Sequence, residues 1–71
     1  MADSVYKVIE LVGTSDVSWE QAAKNAVEAA GKSLKNLRIA EIGKLDMRVE
    51  NGEVIAFRAR VNLSFKIENI V

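Results

Sequence analysis

Cysteine, histidine and proline are all absent from this chain, and only four glycines, two phenylalanines, one tyrosine and one tryptophan occur in its 71 residues. Without cysteine there is no disulfide framework, no thiolate metal site and no thiol nucleophile. Without histidine there is no imidazole base, no imidazole metal ligand and no switch near neutral pH. Charge of one sign is also missing: ten Lys plus Arg balance ten Asp plus Glu, and the isoelectric point is about 6.2. That balance argues against a nucleic-acid or anionic-membrane footprint. No apolar run approaches the ~20 residues of a membrane span, and the start, Met1-Ala2-Asp3-Ser4, is short and polar. A cytoplasmic protein with no nucleic-acid or membrane partner is expected, and most enzyme chemistries lack their residues.

What remains is a single domain over residues 1–71, half hydrophobic (49%) and without linkers or repeats. A fold of this size buries only ~60% of its unfolded surface, and lone cores below roughly 70–80 residues rarely supply more than about 3–5 kcal/mol. Disulfide and zinc staples are excluded by composition. Self-association is the staple left, so an oligomer is expected before any motif is weighed.

Val5–Val12 (Val-Tyr-Lys-Val-Ile-Glu-Leu-Val) reads as a strand covered on most of both faces, with Tyr6 packed, and Gly13-Thr14-Ser15-Asp16 reads as the turn that ends it. Ser18-Trp19-Glu20-Gln21 then has the pattern of a capping box, with Val17 and Ala22 placed for a hydrophobic staple. Trp19, Ala22, Ala23, Ala26, Val27, Ala30, Leu34 and Leu37 recur at helical spacing, predicting an amphipathic helix from Trp19 to Lys35. Its alanine stripe suits close packing on a sheet, and Gly31 is explained by close backbone approach. Trp19 lies on this stripe and reads as core or interface packing, with ligand stacking as the alternative.

A hairpin follows. Ile55, Phe57, Ala59, Val61, Leu63, Phe65 and Ile67 alternate strictly with polar or small residues. A two-residue Asn51-Gly52 turn would set Met47 opposite Ala56, whereas a three-residue Glu50-Asn51-Gly52 loop with a G1 bulge pairs Met47 with Ile55 and Leu45 with Phe57. The second keeps apolar side chains on one face and is preferred. On the first arm Leu45, Met47 and Val49 are out of phase with Ala40 and Ile42, which calls for a bulge near Gly43. The expected architecture is α+β, with strand order 1-3-2 in a three-stranded antiparallel sheet partly wrapped around one helix. Extended, residues 53–68 span ~50 Å against ~26 Å for the helix. The uncovered remainder has to meet another subunit.

Chemical sites are sparse. Ser18 is a cap with no base to activate it. Gly13-Thr14-Ser15 lacks the pattern and lysine of a phosphate loop and reads as a turn. Arg58 and Arg60 read as a solvated polar face or as inter-subunit ion-pair residues, with an anionic ligand as the alternative, and Asp46 and Glu41 read as salt-bridge partners.

Three segments together resemble one family, the dodecins. They are Val5-Tyr6-Lys7 leading to Glu10-Leu11-Val12-Gly13-Thr14-Ser15, then Ala30-Gly31-Lys32-Ser33-Leu34-Lys35-Asn36-Leu37, then Val61-Asn62-Leu63-Ser64-Phe65-Lys66-Ile67-Glu68. The resemblance runs without a gap from about Val5 to Glu68. It implies a non-enzymatic β-α-β-β subunit, twelve of which close into a hollow shell that stores flavin (FMN, FAD or riboflavin) as stacked rings. Carried across, the tryptophan that stacks on flavin corresponds to Ile39, the arginine of a Thr-Arg-Gly run to Asp46, and the glutamine that bonds the ring's polar edge to Arg58. All three depart from the family's residues, and losing the aromatic plate forfeits the stacking contribution. Ser18-Trp19-Glu20-Gln21-Ala22-Ala23 and Asp46-Met47 are similar to a tryptophan-less branch that includes a calcium-binding dodecin. Calcium is therefore the alternative cargo, at a site no single chain encloses, since Ca²⁺ takes six to eight oxygens. The third reading is an assembly module with no cargo.

Overall fold

The computed structural model describes residues 3–67. Four elements follow in order: β1 (Tyr6–Ser15), α1 (Trp19–Gly31), β2 (Leu37–Glu50) and β3 (Glu53–Lys66). The sheet order is β1-β3-β2, with β3 antiparallel to both neighbours, as the apolar alternation of β3 predicts for a central strand. Glu68, the end of the expected last strand, lies outside the described residues.

One contact sets where the helix lies. A Cβ on Gly13 would overlap the carbonyl oxygen of Ala22 and come to 3.0 Å from the Ala26 Cβ. Glycine on the strand and alanine on the helix therefore let the two backbones close together, and Ala22, Ala26 and Ala30 are the buried residues of α1. Gly13 is part of β1, opposite Ala59, so the segment expected to be a turn continues the strand to Ser15. Close approach was expected at Gly31 instead. There a Cβ would meet nothing within 4 Å. Gly31 is the last residue of the helix, and just beyond it the N–H groups of Ser33 and Leu34 both donate to the Ala30 carbonyl. Leu34 and Leu37 still pack on the core, from the connection and the start of β2 rather than from a helix reaching Lys35.

At the other end of α1, Ser18 Oγ accepts the Gln21 N–H at 3.0 Å, as the capping pattern predicts. The reciprocal half does not form. Ser15 Oγ takes the N–H groups of Val17 and Ser18, and Gln21 Nε2 donates to Asn25 Oδ1 at 2.8 Å instead. The expected staple is open too, with Val17 73% exposed.

The core is small: Ala59, Val61 and Leu63 of β3 against Ala22, Ala26 and Ala30, with Ile9, Leu11, Ala23 and Val27 among the side chains at its margin. The hairpin turn is the two-residue Asn51-Gly52, both at positive φ (51° and 78°), the primed type that matches strand twist. A bulge follows at Ile55, where Arg48 pairs with Ala56 but Val49 with Val54. The result is Met47 opposite Phe57 and Leu45 opposite Ala59, in place of either register expected from the sequence. Apolar side chains still share one face, so the criterion held while a different device met it. Gly43 is unpaired between Ile42 (opposite Val61) and Lys44 (opposite Arg60), and this bulge produces the expected change of phase.

The fold measures 55 × 20 × 15 Å, whereas thirteen helical residues span only ~20 Å. The helix rests on β1 and β3 and scarcely touches β2. Leu45, Met47, Val49, Val54 and Ile55 are consequently exposed along the far half of the hairpin. The opposite sheet face is uncovered as well, leaving Tyr6, Val8 and Val12 exposed where packing was expected for β1.

Two glycine substitutions should separate these roles. Gly13→Ala should lower stability by roughly 2–3 kcal/mol through overpacking against the helix backbone, and Gly31→Ala should raise it by about 0.5–1 kcal/mol. Urea midpoints at one fixed chain concentration would reveal the difference; equal shifts at both sites would contradict this placement of the helix.

Candidate functional site

Pairing register sorts the polar residues into rows on the open face of the sheet, away from the helix. Arg58 of β3 lies between Thr14 and Asp46, Arg60 between Val12 and Lys44, and Asn62 between Glu10 and Glu41. Asp46 and Arg58 are thus cross-strand partners. Arg58 Nε donates to Asp46 Oδ1 at 2.7 Å and Nη2 donates to Oδ2 at 2.9 Å. This side-on, two-bond arrangement is the strong form of a carboxylate–guanidinium pair. Hydrogen bonding to Arg58 holds the Asp46 carboxyl below the usual carboxylate range, with smaller help from the charges of Arg58 and Arg60 and some opposition from desolvation.

Ile39, the third expected site position, lies opposite Ser64. Six β3 positions separate Ser64 from Arg58, roughly 20 Å at about 3.3 Å per residue. One chain therefore brings Asp46 and Arg58 together and holds Ile39, 55% exposed, well away from them. All three share the open face, so a ligand touching the whole set would have to bridge chains. Glu41 lies opposite Asn62 and not against Arg58.

The donor set bears directly on metal binding. Among the described residues no three acidic side chains gather closely enough to hold an ion, and both oxygens of Asp46 already accept from Arg58. A cation at Asp46 would have to displace the guanidinium and find most of its oxygens on other chains. At the helix start Ser15 and Ser18 accept backbone N–H groups. The segment considered for phosphate is β-strand up to Ser15.

Sequence reasoning missed a second feature. Between the start of α1 and β2 lies an open apolar hollow of about 350 Å³, walled by Trp19, Ala23, Ile42 and Leu45 with Glu20 and Lys24 at its lip. It exists because α1 sits over β1 and β3 and leaves β2 uncovered. Trp19 also reaches the hairpin: its indole Nε1 donates to the Asp46 carbonyl at 2.9 Å, and its ring meets Phe57 edge-on at 5.1 Å. Nothing in the spacing of the helix stripe announces a hydrogen bond to a residue 27 positions later.

The Asp46–Arg58 pair should be visible in acid. Because its folded pKa is depressed, Asp46 contributes stability that is fully present above the unfolded carboxylate value, about 3.9, and lost as pH falls through the folded value. Asp46→Asn and Arg58→Met should each flatten the acid limb of a stability–pH profile below about pH 4 relative to the parent. Profiles parallel to the parent would show that the pair is not formed in solution.

Comparison with known proteins agrees with this geometry. The family model described as Dodecin matches residues 5–68. The calcium dodecin of Mycobacterium tuberculosis is 45% identical over 64 residues, covering 90% of each chain. The crystal structure of that calcium-chelating protein, which has a calcium-binding site, superposes with a TM-score of 0.80 at 41% identity, over 96% of this chain and all of that one. Dodecin from Streptomyces coelicolor superposes with a TM-score of 0.89 at 33% identity, over 99% of this chain and all of that one. A β-α-β-β fold in the order 1-3-2, shared over nearly the whole chain with these relatives, makes this protein a member of the dodecin family, near its calcium dodecin branch.

Proposed function

We propose that this chain is a non-enzymatic subunit of a closed homo-oligomeric shell, twelve copies in all, that holds a small ligand or a calcium ion at sites shared between subunits. Residues 1–71 act as one unit, and the shell works in the cytoplasm. The observation carrying this reading is the uncovered apolar side of the hairpin, from Leu45 to Ile55, on a chain with six buried hydrophobic residues among those described. A large exposed apolar patch marks an interaction surface, and a chain this short gains the core it lacks by self-association.

Calcium is the favoured cargo. Support comes from the 45% identity to calcium dodecin and from oxygen-only ligand chemistry in a chain without Cys or His. Since no single chain gathers three carboxylates among its described residues, the oxygens come from neighbouring subunits. Flavin is the second reading, favoured by the exposed apolar surface of Ile39 on the same face as Asp46 and Arg58. Ile39 would cover a ring without stacking on it, so binding should be weak. In the flavin reading Ile39, Asp46 and Arg58 are the ligand-contacting positions, with Ile39 supplied by a different subunit from the Asp46–Arg58 pair.

Native mass spectrometry tests assembly and cargo together. Twelve 7.8 kDa chains should appear near ~94 kDa, as expected for a closed point-group assembly. Calcium-sized mass steps that vanish with chelator would support the favoured cargo, and flavin-sized steps would move the reading to flavin. A species at the mass of one chain would overturn the shell.

A further inference from the structure

Trp19 stands at a junction between the two faces of the sheet. It is the one tryptophan of the chain, on the first residue of α1, and it walls the apolar hollow on the helix side. Its indole N–H donates to the backbone carbonyl of Asp46, the residue whose side chain holds Arg58 on the open face. Its ring meets Phe57, the neighbour of Arg58 in β3. Both members of the ion pair are therefore tied to the same side chain, one through its own backbone and the other through the adjacent residue. Beyond this point the hairpin has no support from α1.

We propose that Trp19 is a positioning residue for the Asp46–Arg58 pair: by holding the β2 backbone at residue 46 and the β3 ring at residue 57, it fixes the register in which the carboxylate presents both oxygens to the guanidinium. The physical basis is that a two-bond carboxylate–guanidinium fit tolerates little misalignment, while both side chains are partly exposed, at 46% for Asp46 and 40% for Arg58. An exposed pair alone is poorly fixed because two mobile side chains must be ordered to make it. Anchoring the backbone beneath it removes part of that ordering cost. The indole bond and the edge-on ring contact are separate contributions, so they can be removed one at a time.

The bearing on ligand binding rests on the proposed shell site; the coupling from Trp19 to the pair does not. Hydrogen exchange read by mass spectrometry on the full-length assembly separates the two. Trp19→Phe keeps a ring against Phe57 and removes the donor. It should speed amide exchange about tenfold in residues 45–48 and 56–60 and leave residues 7–12 and 22–30 unchanged. Arg58→Met should open the same segments, and the double variant should add little to either, as expected for residues acting as one unit. Phe57→Leu, which leaves the indole bond intact, should open them less than Trp19→Phe. Acceleration spread over the whole chain, no acceleration, or full additivity in the double variant would overturn the proposal. Calcium steps in native mass spectra of the same samples report on the site: if the parent binds none, the site reading fails while the exchange pattern still decides the role of Trp19.

Discussion

The seating of α1 on Gly13 is the constraint from which the rest follows. A strand residue without a side chain meets a helix face of alanines, and the two backbones close to a distance that any Cβ at Gly13 would prevent. This places the helix over β1 and β3 and fixes the core as three alanines against Ala59, Val61 and Leu63. The same seating leaves β2 without a cover. The apolar hollow beside Trp19 and the bare hairpin beyond it both result from where one glycine lies.

Small side chains limit what this core can supply. Hydrophobic stabilisation scales with apolar area removed from water, at roughly 25 cal/mol per Å², and alanine brings little area. Meanwhile the sheet carries exposed valine, isoleucine, leucine and methionine on both of its faces. Edge strands of ten and fourteen residues, β1 and β2, flank the central strand. A monomer built this way would be weakly held and prone to edge pairing. A closed assembly resolves both difficulties by covering faces and edges together. In the proposed reading function belongs to the assembly, since Ile39 lies roughly 20 Å from the Asp46–Arg58 pair within one chain.

Much of the fold was legible in the residues. The seven-residue alternation from Ile55 to Ile67 identified the central strand, the Ser18 cap marked where the helix begins, and the phase change around Gly43 located a bulge. The readings that failed were local choices that tertiary packing decides. Gly13 followed by Thr14 and Ser15 carries turn chemistry, yet the approach of α1 extends the strand through it. Gly31 suggested close packing, yet it lies where the helix simply ends. Between Asn51 and Ile55 the chain combined a tight turn with a bulge one step later, a solution whose register differs from both simple ones. For the candidate site, pairing of Asp46 with a cation was foreseen, and the hydrogen-bond register supplied Arg58 as the partner. The indole bond from Trp19 to residue 46 was not readable, because it depends on where the helix docks.

An uncovered hairpin ties the folding of this chain to its self-association. Unfolding midpoints measured across a hundredfold range of chain concentration test it most directly. Coupled folding and assembly predict a midpoint that climbs steadily with concentration, by mass action. A midpoint independent of concentration, in a protein that sediments as a single chain, would contradict the account.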